Sequence, residues 1–120
     1  MSESVIREKA FVFALEIIRL YQELHARHEF VLSKQLLRSG TSIGANVEEA
    51  LAGQSRNDFR AKMTIASKEA RETKYWLRLL RESRLTDVDV SQPLVNAEEI
   101  IRILTAIVKT TGEQPAKRTK

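Results

Sequence analysis

The chain has 120 residues, of which 42% are hydrophobic and 30% are charged, and this composition predicts a single soluble domain. Cysteine is absent, which excludes disulfides, thiolate metal sites and cysteine nucleophiles. The net charge of +4 arises mainly in residues 55–84, which carry nine basic and four acidic side chains. No apolar run is long enough to cross a membrane and the N-terminus lacks the pattern of a secretory signal, so we expect a cytoplasmic protein without a membrane partner.

Hydrophobic residues at three- and four-residue spacing predict a first helix over residues 5–27. Its apolar sector is wider than one bundle contact requires, because Phe11, Leu15 and Ile18 extend it round the helix. We therefore expect this helix to make a second buried contact, and another subunit is the candidate partner.

A second helix is predicted over residues 31–53, with Gly53 at its C-terminal end. Gly40 and Gly44 lie inside this helix, although a glycine in an exposed helix interior costs about 1 kcal/mol relative to alanine. Their spacing of four residues places them near one side, which predicts close approach of a neighbouring backbone. A strand over residues 39–43 is an alternative, but the sequence lacks sustained alternation there.

The third helix is predicted over residues 56–83, with Ser55 as its N-cap. A connection over residues 85–90 precedes a fourth helix, predicted over residues 93–111 and ended by Gly112. The sequence therefore predicts an all-α fold, an up-down antiparallel four-helix bundle. We expect one domain over residues 1–112, followed by a basic, disordered tail over residues 113–120.

The second and third helices carry a motif of small polar and charged residues. Residues 38–50 read Arg-Ser-x-Thr-Ser-Ile-x-Ala-Asn-x-x-Glu-Ala, residues 59–62 read Phe-x-x-Lys, and residues 66–77 read Ala-x-Lys-Glu-Ala-x-Glu-Thr-x-Tyr-Trp-Leu. Together they resemble the four-helix-bundle family of 23S rRNA intervening-sequence proteins, over about residues 8–110.

This resemblance implies a small bacterial bundle that assembles into a ring-shaped homopentamer and has no established enzymatic activity. Some members of the family are encoded within insertions in large-subunit rRNA genes. The chain is also similar, more distantly, to the pentameric basic accessory proteins of diversity-generating retroelements. That second resemblance implies partners of two kinds, nucleic acid and another protein.

A basic stripe runs along the third helix, within a sector of about 80° on a helical wheel and well away from the core side. Cations aligned in this way suit phosphate oxygens, so they are the candidate contacts to RNA or DNA, and a solvated helix face is the alternative. No aromatic residue interleaves the stripe, so base stacking is not predicted. The six residues of the basic stripe are Arg56, Arg60, Arg71, Lys74, Arg78 and Arg81.

A set of polar residues lies on the facing sides of the second and third helices. Because a buried carboxylate needs a partner, we expect a network between helices or subunits that sets register and oligomeric state. A ligand or metal pocket is the alternative. The candidates for this assembly network are Arg38, Ser42, Asn46, Glu49, Glu69, Glu72 and Trp76.

Catalytic, cofactor-binding and metal-binding residues are not predicted. A di-metal site in a four-helix bundle uses Glu-x-x-His pairs, and neither His25 nor His28 belongs to one. We therefore predict a non-enzymatic, self-associating bundle that binds nucleic acid through the basic stripe and carries no cofactor. The alternative is a structural subunit that binds another protein and has no nucleic-acid role.

Overall fold

Four helices form the part of the chain that the structure describes, as the sequence predicts. A computed structural model describes the backbone of residues 2–118 and the side chains of residues 5–112. Within that backbone there is no strand, so the strand alternative for residues 39–43 is wrong. The helices are α1 (Ser2–Ala26), α2 (Leu32–Leu51), α3 (Arg56–Ser83) and α4 (Ser91–Arg118).

Each helix packs against the next one in the chain, and α4 returns to pack against α1. The short connections between long helices give the up-down arrangement of a bundle. Helices α1 and α4 share the least extensive of the four seams. Among the described residues, no Cα atom of α1 lies within 8 Å of a Cα atom of α3, so these two helices occupy opposite corners of the bundle.

One stripe of each helix forms the core, because residues three and four apart return to the same helix face. Removing these side chains from water is the main force that holds the helices together. The largest fully buried members are Ile6, Phe13, Ile17 and Leu24 of α1, Leu36, Ile43 and Val47 of α2, Met63, Leu77 and Leu80 of α3, and Ile100 and Leu104 of α4.

The two glycines inside α2 both face α1, and their surroundings differ. A Cβ atom on Gly40 would lie 2.8 Å from Ile17 Cγ2, which is too close for a side chain. A Cβ atom on Gly44 would lie 3.5 Å from the carbonyl oxygen of Ala10, an ordinary van der Waals distance. The predicted close approach is therefore present along this side of α2 and is tightest at Gly40.

Helix ends depart from the prediction at two glycines. Helix α2 ends at Leu51 rather than at residue 53, and the Gly53 N–H donates to the Ala50 carbonyl at 3.1 Å. Helix α4 begins at Ser91 and continues to Arg118, so the predicted end at Gly112 is wrong. No glycine has the positive φ that stops a helix in the left-handed conformation. The tail predicted from residue 113 therefore begins within α4, and residues 119–120 lie outside the described backbone.

Two other residues take the left-handed conformation instead. His28 follows α1 with a φ of 67°, and Arg84 follows α3 with a φ of 59°. Neither position could be read as a helix end from glycine placement. In the part of the chain that the structure describes, no helix is both long and apolar enough to span a bilayer.

Candidate nucleic-acid interface

The basic stripe of α3 lies along the seam with α4. In the middle of the stripe, Arg71 Nη2 donates to Thr105 Oγ1 of α4 at 3.0 Å. One turn on, Lys74 Nζ lies 3.4 Å from Glu98 Oε2 of α4. The helical wheel placed these cations on an open face of α3. The structure instead places Arg71 and Lys74 beside α4, which supplies a hydrogen-bond acceptor to the first and an ion-pair partner to the second.

Towards the N-terminal end of the stripe, the Arg60 side chain contacts α4 and helps to hold the two helices together. Arg60 Nε donates to the Val108 carbonyl oxygen at 3.4 Å. Its guanidinium also covers Gly112, where a Cβ atom would lie 2.7 Å from Arg60 Nη2. Arg60 thus joins α3 to the C-terminal part of α4.

The two outermost members of the stripe differ from each other. Arg81 Nη2 pairs with Glu82 Oε2 at 2.9 Å on the helix surface, as expected for a solvated face. Arg56 is exposed in the first turn of α3, and it has no ion-pair partner among residues 5–112. The central members, Arg71, Lys74 and Arg78, lie between these two ends and line grooves at the seam.

Two adjoining grooves lie at the centre of the α3–α4 seam. The first has a volume of about 270 Å³ and combines three cations with three hydroxyls. The second has a volume of about 280 Å³, and Arg71 belongs to both. The first is lined by Thr64, Ser67, Lys68, Arg71, Thr105, Val108 and Lys109. The second is lined by Arg71, Lys74, Tyr75, Arg78 and Ile101.

The seam is strongly cationic. Its two grooves bring together Lys68, Arg71, Lys74, Arg78 and Lys109. Among residues 5–112, Glu98 is the one carboxylate within ion-pair distance of any of these five side chains. No acidic residue lines either groove. A positively charged surface of this kind attracts anionic ligands and raises their local concentration.

An aromatic ring stands among these cations. Tyr75 is 54% exposed and lines the second groove with Arg71 and Arg78. The sequence-based statement that no aromatic residue interleaves the stripe is therefore wrong. Residues four apart and three apart are neighbours on a helix surface, so Tyr75 meets Arg71 and Arg78 although it lies just outside their sector.

The structure brings four members of the predicted assembly network together between α2 and α3. Arg38 Nη1 lies 3.5 Å from Glu69 Oε1, and Arg38 Nη2 bonds to Glu72. The Trp76 indole N–H donates to Glu72 Oε2 at 3.0 Å. Glu72 thus holds an arginine of α2 and the tryptophan of its own helix at once.

The other three members lie apart from that cluster. Asn46 Nδ2 donates to the Ser42 carbonyl at 2.9 Å and lies 3.2 Å from Ser42 Oγ, a contact within α2 alone. Glu49 Oε1 forms a separate ion pair with Lys62 Nζ of α3 at 2.7 Å. The seven residues therefore do not form one network within a single chain.

A buried contact between α2 and α3 was missed by the sequence reasoning. The Thr73 and Ser39 hydroxyl oxygens lie 2.8 Å apart, within hydrogen-bond distance, and both side chains are fully buried. The Thr73 hydroxyl also donates to the Glu69 carbonyl oxygen at 2.8 Å, so it accepts the bond from Ser39. The available signal was the position of Ser39, three residues after Leu36 and four before Ile43, which places it on the core side. A polar residue on the core side needs a partner from the facing helix.

The histidines are part of an aromatic cluster at the α1–α2 connection. The His25 and Phe30 ring centroids lie 4.7 Å apart, and His28 lies 5.8 Å from the same ring. Over the described residues there is no group of three or more His, Asp or Glu side chains that could hold a metal ion.

Residues 2–106 match the model of the family described as 23S rRNA-intervening sequence protein. The chain belongs to this family. It is also 47% identical to a protein with unknown function from the S23 ribosomal protein family of Bacteroides thetaiotaomicron, whose crystal structure superimposes with a TM-score of 0.84. That match covers 91% of this chain and 99% of the other. No curated protein matches the chain.

Membership in the 23S rRNA-intervening sequence protein family confirms the resemblance drawn from the α2 and α3 motifs. Neither the family description nor the similar structure indicates a catalytic activity. The matched region of this family member includes the whole second groove and most of the first. Val108 and Lys109, at one end of the first groove, lie beyond it.

Proposed function

We propose that this 23S rRNA-intervening sequence protein is a non-enzymatic, self-associating bundle that binds nucleic acid at the α3–α4 seam. The observation that supports the proposal is the pair of adjoining grooves with five cations and one partnering carboxylate. Neutralisation of phosphates by lysine and arginine, with release of counterions, supplies most of the affinity of such interfaces.

The chemistry of the first groove suits a phosphate group. Thr64, Ser67 and Thr105 provide hydroxyls beside the cations, and hydroxyls and basic groups are the usual donors to phosphate oxygens. Arg71 has a fixed place there, because one of its N–H groups is bound to Thr105. A guanidinium has five N–H donors, so the others remain for a ligand.

Charge reversal at the seam tests this proposal. The variant with Arg71→Glu, Lys74→Glu and Arg78→Glu should lose at least about tenfold in affinity for a mixed-sequence oligonucleotide at low salt, because several phosphate contacts become repulsive. The matched control reverses Arg19, Arg27 and Lys34, which gives the same net charge at positions outside α3 and α4. Filter binding at two salt concentrations measures both. Equal affinities of the two variants would refute the assignment of the seam.

The outer face of α1 carries a separate apolar surface, which is the candidate for self-association. Phe11 is 58% exposed, and Leu15 and Ile18 are each 38% exposed, at a spacing that aligns them along the helix. Gly44 and Ala45 of α2 form part of a shallow groove beside Phe11. An aligned apolar surface on a small domain is the usual mark of a protein–protein contact.

We propose that another copy of the chain covers this surface, called here the α1 apolar stripe (Phe11, Leu15 and Ile18). The pentameric ring implied by the family resemblance is the expected assembly. Phe11→Glu with Ile18→Glu should reduce the mass in solution to that of one chain, measured by light scattering. Val95→Glu on α4, at a single exposed apolar residue, is the control and should leave the mass unchanged. An unchanged mass in the α1 variant would refute the proposed contact.

The alternative, a structural or protein-binding subunit, is favoured by the same α1 apolar stripe. The two functions separate in the binding assay. A nucleic-acid-binding protein retains the oligonucleotide at moderate salt and loses it on charge reversal at the seam. A purely structural subunit assembles normally and does not retain the oligonucleotide, even without any substitution.

A further inference from the structure

We infer that the α3–α4 seam recognises single-stranded nucleic acid, with an unpaired base stacked on Tyr75 and a neighbouring phosphate in the first groove. This inference rests on the proposed function, and it names the ligand of the same site. It is carried by one feature that phosphate binding alone does not need, an exposed aromatic ring between cations.

The ring of Tyr75 is held in place from one side. Its centroid lies 5.3 Å from that of Trp76, with the two planes at 63°. Trp76 is itself anchored, since its indole N–H donates to Glu72 Oε2 at 3.0 Å. Glu72 in turn bonds to Arg38 of α2. A chain of contacts from α2 therefore supports the ring, which limits the ordering that binding requires.

The other surroundings of Tyr75 fit a nucleotide. Arg71 and Arg78 line the second groove with it, and the ring is 54% exposed, which leaves it open to contact with a base. Proteins that bind single strands combine such a ring with a cationic groove that follows the backbone. Stacking on an aromatic side chain needs no particular base, so little sequence preference is expected.

The first groove lies where the backbone of the same strand would continue. Arg71 lines both grooves, so a phosphate beside the stacked base reaches the Lys68 and Lys109 side chains. From Thr64 to Arg78 the seam extends about 21 Å along α3 at 1.5 Å per residue. A duplex keeps its bases stacked inside, so it would use the cations of this seam and leave Tyr75 without a role.

Tyr75→Leu is the decisive variant, and Tyr75→Phe is its matched control. The probes are a fluorescein-labelled 12-nucleotide RNA, the DNA of the same sequence, and the corresponding duplexes, measured by fluorescence anisotropy. We expect the unmodified protein to bind the single strands more tightly than the duplexes. Tyr75→Leu should weaken single-strand binding by about five- to a hundredfold, whereas Tyr75→Phe should retain it, because stacking needs the ring and not the hydroxyl.

Two further readouts separate stacking from charge. Duplex affinity and the salt dependence of single-strand binding should be the same in Tyr75→Leu as in the unmodified protein, since no cation is removed. Thermal melting monitored by circular dichroism should show that both variants fold. The RNA and DNA arms distinguish the two ligands, and a loss on Tyr75→Leu in either arm supports the inference.

The inference and the proposed function fail in different ways. If Tyr75→Leu binds single strands as tightly as the unmodified protein, the inference is overturned, and the proposed function still stands on the charge-reversal result. Tighter binding of duplex than of single strand also overturns the inference alone. If no probe binds to the unmodified protein at low salt, both are overturned.

Discussion

Gly40 of α2 lies against Ile17 of α1, at a place where a Cβ atom would be only 2.8 Å from Ile17 Cγ2. Four residues later on the same helix, the corresponding atom on Gly44 would have 3.5 Å to the Ala10 carbonyl oxygen. The two glycines share one helix, one neighbouring helix and one side, and they differ in the space around them. They therefore form a natural pair for measuring what close helix approach contributes to stability.

Gly40→Ala should destabilise the bundle by about 1–3 kcal/mol, the usual cost of an added methyl group in a packed site. Gly44→Ala should be neutral or stabilising by up to about 1 kcal/mol, because alanine favours the helix and finds ordinary contact distances. Urea unfolding followed by circular dichroism measures both free energies of unfolding. Equal effects of the two substitutions would contradict this account.

The buried hydroxyl pair of Ser39 and Thr73 predicts that a threonine in the core and a threonine on the surface of α3 contribute differently to stability. Thr73→Val keeps the shape and removes the hydroxyl that pairs with Ser39, so we expect a loss of about 1–3 kcal/mol in the free energy of unfolding. Thr64→Val is the control, since Thr64 makes only a local bond to the Arg60 carbonyl on the same helix and should change stability by less than about 0.5 kcal/mol.

The hydroxyl pair also predicts non-additivity. The double variant Ser39→Ala with Thr73→Val should lose less than the sum of the single variants, because both buried polar groups are then removed together. A strictly additive cycle would show that the two hydroxyls do not stabilise each other.

Glu72→Ala should destabilise the protein by about 1–2 kcal/mol, because it removes the partner of both Trp76 and Arg38. Trp76 is the one tryptophan of the chain, so its fluorescence reports the site directly. The emission maximum of the folded variant should shift to longer wavelength as water replaces the carboxylate at the indole N–H. Glu49→Ala breaks the exposed pair with Lys62, and it should cost less than about 1 kcal/mol and leave the emission unchanged.

Asp89 lies just before α4, and its hydrogen bonds predict that the stability of the folded protein depends on pH. The Ser91 hydroxyl donates to Asp89 Oδ1 at 2.7 Å and the Ser91 N–H at 2.9 Å, and these bonds lower the pKa of the carboxyl below its ordinary value. The ionised carboxylate therefore stabilises the folded state above about pH 4, and this stabilisation is lost as the pH falls through the folded-state pKa.

The measurement compares the unmodified protein with Asp89→Asn by urea unfolding across acidic pH. The unmodified protein should be the more stable at neutral pH, and the difference should shrink below about pH 4. In a separate NMR titration, Ser91→Ala should raise the pKa of Asp89 towards its ordinary value. A difference between the proteins that does not vary with pH would contradict the role given to Asp89.

The fold was largely predictable because each helix carries its own apolar stripe and its own boundary signals. Helix α3 spans Arg56–Ser83 as predicted, since the Ser55 hydroxyl accepts the Asp58 N–H at 3.0 Å and marks its start. The end of α4 was not predictable from Gly112, because a glycine marks a helix end chiefly through the left-handed conformation, which Gly112 does not take. Here Gly112 stays helical under the Arg60 guanidinium.

The candidate site was predictable only in part, because its shape arises from two helices. The wheel of α3 found Arg71, Lys74 and Arg78, which lie within one sector. It could not find Thr105 and Lys109, which α4 contributes through packing. Tyr75 was missed because it lies just outside the sector of the basic stripe on the helical wheel. The long side chains of Arg71 and Arg78, four residues before it and three after it, still reach it.

The opposite corners occupied by α1 and α3 have a consequence for ligand length. A ring in which the α1 apolar stripe contacts a surface of the next subunit other than the seam would leave every seam facing solvent, because α1 lies at the opposite corner of the bundle from α3. Once a nucleic-acid strand is bound at the seam of one subunit, its free part is held at a high effective concentration near the seam of the next subunit. Its overall affinity would then exceed that of a short oligonucleotide by about 10²- to 10⁴-fold, so retention would rise steeply once the strand reaches from one subunit to the next.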